Sequence, residues 1–179
     1  MKLNKEQLIE ACKRKDQRAC KQLYDIYAPM MLGLCQRLMH SYPAAQDVLH
    51  DGFIKVFENI HNINEPNALY SWIRRIIIYT ALNAIRSEHP MAEFDDNDPI
   101  SDGSLLPADD IYSSLDLPVI LSAIQQLPDK YRLAFNLCVI EELSFSEAAE
   151  YLGVEESTVR SNLFRARAIL AKKLLPLIK

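Results

Sequence analysis

A chain of 179 residues, 49 % apolar and 25 % charged, has an ordinary globular composition and room for one domain or two small ones. No window offers the roughly 20 apolar residues of a membrane span, and the opening MKLNKEQLIEACKRKDQ is too charged to hold a secretory apolar core. No direct membrane insertion and a cytoplasmic location are therefore expected. The net charge of −4 is uneven: residues 91–118 hold eight acids and no Lys or Arg, which leaves 16 acids against 20 bases elsewhere.

With four glycines and strongly periodic apolar stretches, the chain is expected to be all-α. The first body, residues 1–90, reads as four helices. Two lie near 4–18 and 18–39. The third follows Pro43, where Leu49, Phe53, Val56 and Ile60 form a buried stripe while Asp47, Asp51 and Glu58 lie toward a polar face. In the fourth, Leu69, Ile73, Ile76, Thr80 and Ala84 form one apolar face and Ile78, Leu82 and Ile85 another. Between them Trp72, Arg75, Tyr79, Asn83 and Arg86 fall in a sector about 80° wide. Rings that stack on exposed bases, beside guanidinium groups that neutralise phosphates, suit single-stranded DNA. The same stripe also fits a half-buried helix edge with snorkelling arginines.

Residues 91–115, rich in Asp, Ser, Pro and Gly, read as a flexible acidic linker. The second body, 116–179, opens on an amphipathic helix carrying Leu117, Ile120, Leu121, Ile124 and Leu127, and Pro128 starts the next, PDKYRLAFNLCVIEE. Ser144 and Glu147 have capping-box spacing. Gly153 supplies a tight turn, Ala149 a small residue where two helices cross, and Val159 an inward apolar residue, which together predict a helix-turn-helix. Its second helix turns Val159, Leu163 and Leu170 inward and presents Ser157, Arg160, Ser161, Phe164, Arg165 and Arg167, a set suited to a major groove.

Three segments in this order resemble the extracytoplasmic-function (ECF) family of bacterial RNA polymerase sigma factors, and the likeness covers almost the whole chain. AAQDVLHDGFIKVFENI resembles the segment that docks on the polymerase clamp, YSWIRRIIIYTALNAIR the promoter-melting and minus-ten-reading helix, and LPDKYRLAFNLCVIEELSFSEAAEYLGVEESTVRSNLFRARAIL the minus-thirty-five-reading domain. The resemblance implies two helical domains, a four-helix promoter-melting domain and a helix-turn-helix domain, that bind core RNA polymerase, duplex promoter DNA and its melted strand. It implies a clamp contact at or above Asp47, Leu49, Asp51 and Phe53. The loop from His61 to Leu69, with Asn62, Asn64 and Asn67, would hold a flipped minus-ten base. Trp72, Arg75, Tyr79, Asn83 and Arg86 would line the opened strand. Ser157, Arg160, Ser161, Phe164, Arg165 and Arg167 would face the minus-thirty-five groove. An anti-sigma partner is implied as well, and the linker acids would mimic RNA phosphates. Gln46, Tyr79 and Glu155 depart from common family residues, so a promoter sequence does not transfer from relatives.

Two other readings compete. A stand-alone helix-turn-helix regulator accounts for the second body but not for the Trp72–Arg86 stripe. A metal-dependent hydrolase could use Asp47, His50 and Asp51, spaced to meet one ion from a single helix, but the other histidines offer no partner motif and a catalytic metal needs three protein ligands. No catalytic residue, metal or cofactor is expected. Cys12, Cys20, Cys35 and Cys138 have no metal-site spacing and read as small buried hydrophobes.

Overall fold

The computed structural model describes residues 3–88 and 116–177. They are helical, without a strand among them. The chain divides into two compact units, Met1–Ala84 and Ile85–Lys179; the linker expected at 91–115 lies outside the described residues.

In the first unit, α1 (Lys5–Lys13) starts at a capping box of Asn4 and Gln7, and α2 (Gln17–Leu38) at Asp16, whose carboxylate accepts from the Arg18 and Ala19 N–H groups at 2.8 and 3.0 Å. The expected first helix is therefore shorter than 4–18: Lys15, at φ 60°, turns the chain between α1 and α2. α3 (Tyr42–Glu58) is capped by Ser41 with Pro43 in its first turn. Two 3-10 turns, Ile60–Asn62 and Pro66–Ala68, lead into α4 (Leu69–Glu88).

The core of this unit packs Leu23, Met31, Leu34 and Leu38 of α2 with Val56 of α3 and Leu69, Ile73, Ile77 and Ile78 of α4, each nearly or fully removed from water. Each such side chain contributes about 1.5–3 kcal/mol. The inward face of α4 differs from the expected one. Ile77 is fully buried, whereas Ile76 is half-buried, because the two apolar sets merge into one wide face. α3 meets this face through Gly52, where a Cβ would overlap the Ile77 Cδ1 methyl and stand 3.7 Å from the Ile77 Cα.

The second unit holds α5 (Leu117–Gln125), α6 (Asp129–Phe135), α7 (Phe145–Leu152) and α8 (Glu156–Leu174), with α5, α6 and α7 all packing on α8. α5 is less buried than its periodicity suggests: Leu117 is 82 % exposed, and Ile120 and Leu121 are half-buried. The helix expected from Pro128 to Glu142 is interrupted. α6 gives way to a π-helical turn, Asn136–Ile140, closed by the Glu141 N–H donating to the Asn136 carbonyl at 2.9 Å. Polar residues are buried at the break. Arg132 has no exposure; it pairs with Asp129 and donates to the Leu127 carbonyl at 2.9 Å. The buried Asn136 amide donates back to the Arg132 carbonyl at 2.8 Å.

Candidate nucleic-acid interface

A groove of about 520 Å³ runs along α4. Trp72, Arg75, Tyr79 and Asn83 line it, as the stripe predicts, and Asn62 joins them from the loop. The Arg75 guanidinium lies 5.7 Å from the centroid of the Tyr79 ring, which pairs a flat cation with an aromatic face. Sequence reasoning missed the opposite wall. Lys55 and Asn59 come from the end of α3, and Ile76 and Thr80 form the floor. Buried Thr80 donates to the Ile76 carbonyl at 2.8 Å and accepts from the Lys55 ammonium at 3.2 Å, which holds that charge over the groove. A lysine at Lys55 in an otherwise polar α3 face gave no signal before the α3–α4 packing was known.

The loop has a simple construction. Ile60, Ile63 and Leu69 are buried plugs, and Asn62, Asn64 and Asn67 point to solvent between them. The Asn59 amide donates to the Lys55 carbonyl at 2.8 Å, and the Ser71 hydroxyl to the Ala68 carbonyl at 2.9 Å, so the loop is tied at both ends. Asn64, Asn67 and Arg86 are not among the groove's lining residues.

On α3 the four residues expected at the polymerase contact separate. Asp47 and Asp51 are exposed, but Leu49 (4 %) and Phe53 (2 %) are core residues and can only shape the surface from beneath. Phe53 packs edge-on against Tyr24, centroids 4.7 Å apart. The exposed face holds a residue the sequence reading passed over: Ile54, 56 % exposed. At about 100° per residue it falls in one sector with Asp47, Asp51 and Glu58, an apolar side chain framed by three acids.

The helix-turn-helix forms as its motifs require. Ser144 and Glu147 make the capping box, with the Ser144 N–H donating to Glu147 at 2.8 Å and the Glu147 N–H to the Ser144 hydroxyl at 3.2 Å. Gly153 sits at φ 68°, where a side chain is strained, and its N–H donates to the Ala149 carbonyl at 2.8 Å. Ala149 and Val159 are buried in the crossing. Glu155 begins α8 without a side-chain cap.

On α8, Ser157 and Arg160 are exposed, and Ser161 and Phe164 are half-buried. Arg160 is held by its own domain: it lies 4.4 Å from the Phe145 ring centroid and 3.5 Å from the Glu156 carboxylate. Arg165 and Arg167 are less outward than expected. The Arg165 guanidinium donates to the Tyr131 hydroxyl at 3.4 Å, and the Arg167 Nε is buried. Asn162, in the same helix, is buried at 2 % exposure, a polar core position that the sequence reading did not single out. Among the described residues no group of three or more His, Cys, Asp or Glu is placed to hold a metal ion, Asp47, His50 and Asp51 included. No helix of the described residues is long and apolar enough to cross a membrane.

A groove of rings and cations in one helical unit, and a helix-turn-helix in the other, place the chain in the class of helical DNA-binding proteins. Comparison with known proteins narrows this class. Residues 23–90 match the family model for sigma-70 region 2, and residues 118–170 match that for sigma-70 region 4. The chain is 33 % identical to the RNA polymerase sigma-H factor of Pseudomonas aeruginosa over 97 % of its length and 95 % of that protein. It is 30 % identical to the ECF RNA polymerase sigma factor SigW of Bacillus subtilis, over 93 % and 94 % respectively. In fold it is similar to the sigma factor RpoE, solved in complex with the anti-sigma factor NepR from Bartonella quintana. The TM-score is 0.59 at 24 % identity, covering 89 % of this chain and 98 % of that one. The chain belongs to the ECF family of RNA polymerase sigma factors, and is an alternative sigma factor.

Proposed function

We propose that this sigma factor uses its α4 groove to capture the melted minus-ten strand and its α8 face to hold the minus-thirty-five duplex, while α3 docks on the polymerase clamp. The observation that carries the reading is the α4 groove, where Trp72, Arg75 and Tyr79 meet Lys55 and Asn62. Stacking rings and cations on one open surface fit a single strand, whose bases are exposed and whose phosphates are regularly spaced. Asn62, at the groove's edge, and Asn64 and Asn67 in the same loop would receive a base extruded from the stack. On α8, Ser157, Arg160, Ser161 and Phe164 form the groove-facing set, with Arg165 and Arg167 bracing the helix.

The proposed domains are residues 1–90 for clamp and minus-ten binding, and 116–179 for minus-thirty-five binding, with 91–115 as the tether. Neither DNA contact need be strong alone, because each raises the effective concentration of the other in one complex. The polymerase performs the chemistry, and the sigma factor itself catalyses nothing. It would act in the cytoplasm and be held inactive by an anti-sigma factor, the kind of partner seen with RpoE of Bartonella quintana.

Run-off transcription with purified core polymerase on promoter fragments from the host tests this reading. Discrete transcripts that require the protein and share upstream elements at fixed spacing are expected. Tight duplex binding with no binding to core would instead indicate a stand-alone regulator.

A further inference from the structure

The first unit holds another recess, of about 590 Å³, that the promoter contacts do not use. Cys12 and Cys20 both line it, together with Phe57, Glu58 and His61. Cys12 lies in the last turn of α1 and Cys20 in the first turn of α2. The turn between them is tight: the Lys15 N–H donates to the Cys12 carbonyl at 2.9 Å and the Asp16 N–H to the Ala11 carbonyl at 3.1 Å. The two cysteines face the same recess from either side of this turn.

Their environments differ. Cys20 is half-exposed, whereas Cys12 is 3 % exposed. Burial first, and then the neighbouring Cys20 thiol, push the Cys12 thiol up to about 12. One sulfur thus meets solvent while the other stands behind it. This asymmetry separates an oxidant-facing thiol from a resolving thiol.

We propose that Cys12 and Cys20 form a reversible thiol–disulfide pair, with Cys20 as the entry thiol and a hydroperoxide as the oxidant. Cys20, having given its proton to solvent, attacks the peroxide oxygen. A sulfur–oxygen bond forms, the oxygen–oxygen bond breaks, and the leaving oxygen takes a proton to depart as water or an alcohol. The sulfur is oxidised to the sulfenic acid and the peroxide is reduced. Cys12 then attacks that sulfur: the sulfur–sulfur bond forms, the sulfur–oxygen bond breaks, and the Cys12 proton leaves with the hydroxyl as water. A disulfide fixes the sulfurs about 2.05 Å apart, and both cysteines are free in the structure. Bond formation therefore draws the ends of α1 and α2 together and reshapes the recess beside His61. In a reducing compartment such a bond is transient, as a signalling device requires.

The test uses the full chain, reduced and then exposed to hydrogen peroxide, alkylated under denaturing conditions and digested with trypsin. Cleavage leaves Cys12 in EQLIEACK and Cys20 in ACK, so the expected product is these two peptides joined, separated again by dithiothreitol. Cys12→Ser should leave Cys20 as a sulfenic acid that dimedone captures. Cys20→Ser should leave Cys12 unoxidised. The proposal is overturned if Cys20 oxidises while Cys12 remains alkylatable in the native sequence, or if the bond involves Cys35, Cys138 or a second chain. Oxidation of Cys12 in the Cys20→Ser variant would likewise remove Cys20 from the entry role.

Discussion

The Arg160 guanidinium sits over the Phe145 ring, 4.4 Å from its centroid, so the outward cation of α8 rests on the residue that opens α7. The two helices of the helix-turn-helix are therefore joined at their exposed edge as well as at Ala149 and Val159. Phe145 holds the arginine in one direction, which in the proposed duplex contact would lower the ordering cost of binding. Arg160→Ala should weaken holoenzyme binding to a minus-thirty-five duplex by about 1–3 kcal/mol. Phe145→Ala should cost less, about 0.5–1 kcal/mol, because the charge remains and only its seat is lost. Anisotropy titrations of a labelled duplex over several salt concentrations read both. Unchanged affinity in Phe145→Ala would show that the seat has no part in recognition.

The two walls of the α4 groove make separable contributions. Trp72→Ala removes a stacking surface worth about 1–3 kcal/mol per base, so permanganate reactivity of the melted region should fall by an order of magnitude or so while core binding is kept. Lys55→Ala removes a cation of the groove wall and should lower the salt slope of open-complex formation by about 0.7, the value for one single-strand phosphate. Normal melting by Trp72→Ala would make the stripe a structural helix edge.

Ile54 is the apolar centre of an acidic frame on α3, and in the proposed clamp contact such a centre should carry more binding energy than its charged rim. Ile54→Ala should reduce affinity for core polymerase by about 1–2 kcal/mol, more than Asp47→Ala or Asp51→Ala alone. The rim substitutions should act chiefly on the association rate and its salt dependence. Surface-binding kinetics with immobilised core distinguish the two effects.

Much of this arrangement was legible in the sequence, where local signals coincide with local structure. The Ser144–Glu147 box, the left-handed Gly153 and the Trp72–Asn83 stripe each depend on residues within a few turns of one another. What stayed hidden depends on packing. Lys55 becomes a groove residue only because α3 ends against Thr80 of α4. Arg165 looked as available as Arg160 until Tyr131, 34 residues away in the chain, was found accepting from it. The π-helical turn after Phe135 coincides with a fully buried arginine and asparagine, and no periodicity encodes that.

Asp16 makes the first unit sensitive to acid. The Ala19 and Arg18 N–H groups hold its carboxyl below the ordinary aspartate value of 3.8. A carboxylate whose folded pKa is depressed stabilises the fold above its unfolded pKa, and that stability is lost as pH falls through the folded value. Asp16→Ala should therefore lower the urea midpoint at pH 7, and the gap between the two proteins should shrink toward pH 3. A gap independent of pH would mean that the carboxylate's charge has no part in capping α2.

The close approach of α3 and α4 at Gly52 and Ile77 makes a prediction in which two substitutions must interact. Alanine is the better helix former by about 1 kcal/mol, so Gly52→Ala would stabilise an isolated α3. Here the added methyl overlaps the Cδ1 of Ile77, a side chain with no exposure, so in a packed core that methyl has little room to turn aside. Overpacking of this kind costs about 1–3 kcal/mol, which should leave Gly52→Ala less stable than the native chain. Ile77→Val removes the very methyl that is struck, at a cost of about 0.5–1.5 kcal/mol on its own. In the double variant the new methyl occupies the space that the old one vacates. Gly52→Ala/Ile77→Val should then be more stable than the sum of its parts by about 1 kcal/mol or more, a coupling expected only between residues in contact. Urea denaturation of the native chain, both single variants and the double variant measures it directly, and strict additivity would show that the two helices separate to admit the methyl.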